Sequence, residues 1–433
     1  MKEILKQVLV LILHKLSALV IRKYNPKIIG ITGTVGKTTT KDAVYTALAR
    51  FESVRKSQKS FNSELGIPLT ILDSDNPGRD VLGWIRVVID GLIMLVFKSP
   101  YPKWLVLEVG TDKPGDIGLI TKWLHPDIVV VTKLSKVPVH VEAFGSPEYL
   151  FEEKGNLVKA LKPGGTLILN ADDEDVMAYK GISEEKLLLF GEKSGSDIGF
   201  SDYQIIYDEN NLPKGIKFGI SFGDEDLQYV SLMGTLGEQN ISHILVALLI
   251  ARDLGLDVRL AMNSFKSEQP TPGRMRLLDG LKGSTIIDDS YNSSPIALEE
   301  ALKTLKSIKV SRGHRKIAIL GDMLELGRYT VDEHKKMGER ASKSANIFVA
   351  VGIRSRYAAQ EALNNGMSEG KVFQFDDSLE AGMFMKDLIK EGDVILIKGS
   401  QGVRMEKCVE ELMAKPEYKE KLLVRQSADW ADK

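Results

Sequence analysis

The sequence predicts an α/β protein built from two tandem units, each a mostly parallel sheet covered by helices. Three observations carry this. Short apolar runs alternate with helix-like segments from Lys27 to Phe190, the first run ends in a glycine-rich stretch at Gly30–Thr40, and the alternation resumes after Thr271-Pro272-Gly273. Such alternation marks strand–helix–strand units whose strands lie parallel. The 433 residues leave room for about two to four domains of ordinary size.

Residues 1–26 stand apart. Val8–Leu13 and Leu16–Ile21 are apolar or nearly so, with His14 and Lys15 between them. The stretch is shorter and more broken than the roughly twenty apolar residues of a spanning helix. It runs through Arg22 and Lys23 into a strand without a small-residue cleavage site. At 100° per residue, Lys2, Glu3, Lys6, Gln7, His14 and Ser17 fall on one side and leave a broad apolar face. That face either docks on the protein's own core or lies in a membrane interface with basic flanks.

Ile28–Thr32 reads as the first strand, followed by a glycine turn and a helix from Thr38 to about Arg50. Trp104–Glu108, Ile128–Thr132, Thr166–Asn170 and Leu187–Phe190 follow as strands. Tyr203–Tyr207, Ile216–Phe222 and Tyr229–Met233, joined by polar turns, predict antiparallel strands, and Leu245–Leu254 predicts a helix. The second unit has strands at Ser284–Asp288, Lys316–Leu320, Ile347–Val351, Val372–Phe375 and Val394–Ile397. The organisation expected is a helical segment at 1–26, a central domain at 27–270 with an apolar insertion near 75–100, and a C-terminal domain at 271–433. Within the insertion Arg86 and Asp90, four apart, share a helix face and can pair. A cleft between two such domains is the expected place for a site.

Composition narrows the function. With 58 Lys+Arg against 59 Asp+Glu, the net charge of −1 argues against nucleic-acid binding, which needs a basic face. The single Cys408 excludes an intramolecular disulfide and a multi-cysteine metal site, and fits a reducing, cytoplasmic compartment.

The strongest chemical signal is Gly30-Ile31-Thr32-Gly33-Thr34-Val35-Gly36-Lys37-Thr38-Thr39. Gly33, Thr34 and Gly36 let the backbone curl so that its N–H groups meet phosphate oxygens. Lys37 supplies a charge for the β- and γ-phosphates, the Thr38 hydroxyl can ligate Mg²⁺, and Thr39 continues the helix start. The strict motif has Gly where this chain has Ile31, yet Gly-Lys-Thr opening a helix after a strand points to ATP or GTP. Glu108 ends a strand, where α/β folds place ligands. His140 lies in Val139–Ser146, and Lys154 in Glu153-Lys154-Gly155.

Taken together, these clusters resemble the Mur ligase family, and within it the members that add D-alanyl-D-alanine to a UDP-muramoyl tripeptide. Phe61–Thr70, Asn170-Ala171-Asp172-Asp173, Gly237 with Asn240, Gly273-Arg274, Asp288–Asn292, Gly321–Gly327 and Lys398-Gly399-Ser400 carry the resemblance from about residue 27 to 415. It implies a central ATPase domain and a Rossmann-like C-terminal domain that receives the amine. It implies an acidic peptide or sugar-peptide acceptor activated by ATP as an acyl phosphate, then attacked by an amino acid or dipeptide, as in peptidoglycan synthesis. Mg²⁺ would be held by Thr38 and Glu108, and a second Mg²⁺ by His140 and Lys154, the lysine that the family carbamylates. Asn240, Arg274 and Asp289 match positions that contact ATP.

The departures are Gln239, His243, Ser294, Gln401 and Asn156, where the family commonly has His, Asn, Asn, Arg and Glu. Only 26 residues precede the P-loop strand, where relatives carry a folded UDP-binding domain, and Val81–Phe97 exceeds the family pattern. Residues 1–26 and 79–97 are therefore expected to act together as an apolar surface toward a membrane or a partner. Two other readings stay open: a Mur-like ligase for another acid or polymer, and a degenerate nucleotide-binding scaffold. Retention of Lys37, Glu108, His140 and Lys154 together favours catalysis.

Overall fold

Strand β1 (Lys27–Thr32) is the hub of the central sheet, because its Ile-Ile-Gly-Ile-Thr run is buried on both faces. The computed structural model describes residues 2–58, 61–192, 194–267, 269–427 and 430. β1 lies between β3 (Trp104–Glu108) and β4 (Ile128–Val131), while β2 (Val54–Lys56) borders β3, and β5 (Thr166–Asn170) and β6 (Lys186–Phe190) extend the other side. All six strands are parallel, in the order β2-β3-β1-β4-β5-β6. β7 (Gly199–Tyr207), β8 (Pro213–Ser221) and β9 (Gln228–Met233) form a separate antiparallel sheet, as the polar turns predict.

The C-terminal sheet runs β10-β11-β15-β12-β13-β14, comprising β10 (Arg276–Asp279), β11 (Thr285–Asp289), β12 (Lys316–Gly321), β13 (Ile347–Val351), β14 (Val372–Phe375) and β15 (Val394–Lys398). β10 is antiparallel to β11 and makes this sheet mixed. The sequence reading lacks β2 and β10, which have only three and four residues with charges among them. Edge strands this short carry too few alternations to signal themselves.

The first helix, Lys2–Tyr24, packs on the central domain. Leu13, Leu16 and Val20 join one core with Ile28, Ile67 and Val87, each such side chain contributing roughly 1.5–3 kcal/mol relative to exposure. His14 and Ser17 do not lie on a polar outer side as the helical projection predicts; both are buried. His14 Nε2 meets the Glu64 carbonyl at 2.9 Å and its ring tilts against Trp123, so a local partner outweighs the residue's polarity. The outer stripe is instead Leu5, Val8, Leu11, Ile12 and Leu19. The helix Val81–Val96 lies against the first helix, and only Val87 and Gly91 are buried. Arg86 and Asp90 pair at 3.7 Å. Among the described residues, no helix is long and apolar enough to cross a membrane.

Candidate active site

The loop between β1 and the helix Lys37–Leu48 is shaped by its glycines and locked from β4. Gly33 has φ 142°, and a Cβ there would stand 2.1 Å from Thr132 Oγ1. That hydroxyl, just past β4, donates to the Val35 carbonyl at 2.6 Å and the Thr32 carbonyl at 3.2 Å. Thr34 N donates to the Lys133 carbonyl at 2.7 Å. Gly36, with φ 86°, opens the helix, whose unpaired first amides and dipole favour an anion. Thr39 Oγ1 donates to the Gly36 carbonyl at 3.0 Å, within the turn.

Glu108 is brought beside this helix because β3 pairs with β1, Ile31 opposite Glu108. Its buried carboxylate accepts from Thr38 Oγ1 at 2.8 Å and from Asn62 Nδ2 at 3.0 Å. Neither partner is charged. A buried carboxylate held only by neutral donors, with a hydroxyl alongside, suits a hard divalent cation such as Mg²⁺. Asn62 was legible only as part of the Phe61–Thr70 run, and its role appears once the loop folds over the strand end.

Three cations converge on the loop. Lys37 Nζ donates to the Gly33 and Thr34 carbonyls at 3.0 and 3.2 Å. Burial lowers its pKa, Glu108 opposes the shift, and Arg274 deepens it. Arg274 stacks on Tyr291 at 4.1 Å, and its Nε is buried without a hydrogen-bond partner among the described residues. Lys154, on the helix Pro147–Lys159, is buried and has neither hydrogen-bond nor ion-pair partner among them. Burial, and then the charge of Lys37, bring its pKa down to about 7. Its neighbour Glu153 accepts from the amides of Ile117 and Gly118 at 2.6 and 3.1 Å, which fixes the helix. Cations that repel one another, with Lys154 buried and Lys37 and Arg274 half-buried, favour a neighbouring anion.

His140 stands with φ 69° and places Nδ1 2.7 Å from Glu325 Oε2 of the C-terminal domain, while Nε2 lies 3.8 Å from Asp112. Among the described residues no three His, Cys, Asp or Glu side chains gather as a metal site. Thr38 and Glu108 are thus together, whereas His140 is engaged across the domains and Lys154 stands by Lys37.

A cleft of about 680 Å³ adjoins the P-loop helix, lined by Gly36, Thr39, Asn170, Phe190, Tyr203 and His243 among others. Burial pushes the His243 imidazole down to about 4, so it is neutral, and Nδ1 is unpartnered among the described residues. Asn240 does not line this cleft; its amide is spent on Thr235 Oγ1 and the Leu236 carbonyl, at 2.9 and 2.6 Å. Asp289 is held by Lys398 Nζ at 2.6 Å and by Met275 N at 3.3 Å, beside Arg274. Asp288, raised to about 6 by burial, accepts from Gly273 N at 3.1 Å and so fixes the turn that carries Arg274.

These features define a class: a P-loop α/β protein whose second α/β domain brings Arg274, with Asp289 beside it, near Lys37 of the loop. Residues 31–82 and 92–251 match the Mur ligase middle domain, and residues 273–401 match the Mur ligase glutamate ligase domain. The chain belongs to the Mur ligase family. It is 27% identical over 407 residues to the UDP-N-acetylmuramoyl-tripeptide–D-alanyl-D-alanine ligase of Bacillus subtilis, covering 93% of this chain and 79% of that one. A solved MurF ligase from Thermotoga maritima in complex with ADP superposes with a TM-score of 0.76 at 27% identity, covering 95% of this chain and 84% of that one. MurF from Acinetobacter baumannii, at 22% identity and a TM-score of 0.74, covers 92% of this chain and 79% of that one, and shares the fold.

Proposed function

We propose that this chain is an ATP-dependent ligase that joins a D-alanyl-D-alanine-like amine to the terminal carboxylate of a muramoyl-peptide-like acceptor in cell-wall assembly. The observation that carries the reading is the phosphate end of the cleft, where Thr38 and Glu108 meet at 2.8 Å beside the cations of Lys37 and Arg274. The relatives named above as D-alanyl-D-alanine ligases, and the ADP complex of one of them, support the choice of substrates and nucleotide. The organisation that goes with it is 1–26, 27–270 and 271–433, in the cytoplasm.

In the proposed reaction an acceptor carboxylate oxygen bonds to the γ-phosphorus of ATP as the bond to ADP breaks. The amine then bonds to the acyl carbon, inorganic phosphate leaves, and the amine proton passes to solvent. Lys37 and Arg274 neutralise the phosphoryl oxygens, and their fixed placement serves charge that develops in the transition state. Thr38 and Glu108 would hold Mg²⁺, which when bound supplies charge neutralisation at the β- and γ-phosphates. Asn62 orients Glu108. Asn240 holds the turn preceding Gln239 and His243, which border the nucleotide, and Asp289 steadies Arg274. Near neutrality a share of Lys154 is free amine, the form that bonds to CO₂ and loses a proton to become a carbamate. That carbamate, with His140 released from Glu325, would hold the second Mg²⁺.

The test is incubation with ATP, Mg²⁺, a UDP-muramoyl tripeptide and D-alanyl-D-alanine, read by the mass of the product. A product heavier than the acceptor by one dipeptide less one water is expected. Ligation of other acid–amine pairs in a substrate panel, with none here, would transfer the activity to another member reaction of the family.

A further inference from the structure

The first helix and the helix Val81–Val96 present one apolar face that no other described residue covers. Leu82, Val96, Leu5 and Phe97 are 76%, 75%, 66% and 64% exposed, and Leu11, Ile85 and Leu92 continue the face between them. Isolated exposed leucines need no explanation, but a contiguous face of this size marks an interaction surface.

The face is rigid. Lys23 Nζ reaches the carbonyls of Met94, Leu95 and Phe97 at 2.8, 3.1 and 2.6 Å, a cation closing the C-terminus of the second helix. Tyr24 Oη donates to the Met94 carbonyl at 3.0 Å. A Cβ on Gly91 would stand 3.4 Å from Leu16, so the two helices touch through that glycine. The pair is therefore held as a single plate.

Its charge selects the occupant. Residues 2–24 and 79–98 carry eight Lys/Arg and three Asp/Glu, in a chain whose net charge is −1. Lys15 and Arg22 are exposed on the first helix, as are Ile12 and Leu19 three residues before each of them. There, long basic side chains can extend to headgroups while their stems cover apolar surface. Residues 1–30 and 83–91 fall outside the stretches that match the Mur ligase domains.

We propose that this plate docks the enzyme on an anionic bilayer surface, lying in the interface without spanning it. Apolar side chains enter the headgroup boundary and the basic residues meet anionic lipid. The inference is independent of the ligase reading, because docking needs neither substrate nor catalysis.

The test is co-sedimentation of the full chain with vesicles of phosphatidylcholine alone or mixed equally with phosphatidylglycerol. Binding to the anionic vesicles is expected, weakening as salt is raised. The double variant Leu82→Gln/Val96→Gln, altering two outward side chains, should bind about tenfold more weakly while releasing phosphate in solution like the parent. Equal or negligible vesicle binding by parent and variant overturns the proposal. So does a concentration-dependent dimer that the double substitution dissolves, because the face is then covered by a second copy.

Discussion

Around Gly33 each loop contact is already made: Thr132 fills the space that a Cβ would take, and Thr38 and Asn62 hold Glu108. Around Lys154 and Arg274 the opposite holds, with a buried ammonium and a buried guanidinium nitrogen that lack hydrogen-bond partners among the described residues. The first region is made within the central domain, where Thr132 past β4, the helix Lys37–Leu48 and the 61–70 segment supply the groups around the ends of β1 and β3. The second is made between elements of both domains, with cations that repel one another. The difference teaches that the loop is held by contacts within the fold, whereas under the proposed function the cations facing it are completed by bound phosphate.

Lys37 belongs to both regions, so its loss carries the largest expected effect. Lys37→Ala should lower turnover on the order of a hundredfold or more, measured as amide product per enzyme with the fold checked by circular dichroism. Near-parental turnover would rule out Lys37 as the phosphate-neutralising group.

Lys154 sharpens the second region. Lys154→Ala should lose roughly ten- to a hundredfold in activity, as for residues that organise a metal, and recover partly with added short carboxylates. Its pKa of about 7 gives the pH dependence. Below that value the ammonium cannot take up CO₂, so at a fixed, limiting CO₂ concentration activity should rise with pH through about 7. The same lowered pKa acts on stability. Between about 7 and the ordinary lysine value the unfolded chain binds more protons at this residue than the folded one, so its unmodified side chain adds stability as pH rises through that window. A flat activity profile, with no rescue of the alanine variant, would leave Lys154 as a buried structural lysine.

A smaller effect is expected at Gly33. Gly33→Ala combines a positive φ with a Cβ 2.1 Å from Thr132 Oγ1, a strain of about 1–3 kcal/mol. It should weaken nucleotide binding, measured by calorimetry, more than it lowers the melting temperature. Unchanged affinity would show that the loop is not preorganised by this contact.

Much of the preorganised region was legible in the sequence, because Gly33, Gly36, Lys37 and Thr38 lie within six residues and the strand before them is continuous. The long apolar strands of both sheets were legible for the same reason. Thr132 and Asn62 were not assigned roles, since their contacts arise only when β4 and the 61–70 segment are laid against β1 and β3. Asn240 and Asp289 show the converse: the resemblance marks them, yet their side chains serve Thr235, Leu236 and Lys398 in this structure. His14 escaped a helical projection because one-dimensional polarity cannot show a carbonyl such as that of Glu64 waiting on the core side, and Ser17 is buried with its hydroxyl unpartnered among the described residues.

The most direct test of ligation is the ratio of phosphate released to amide formed, measured with acceptor or amine omitted in turn. A Mur-type reaction at this site predicts one phosphate per amide, and no sustained phosphate release when the acceptor is left out. Steady release without acceptor, or release with both substrates present and no amide formed, would contradict it.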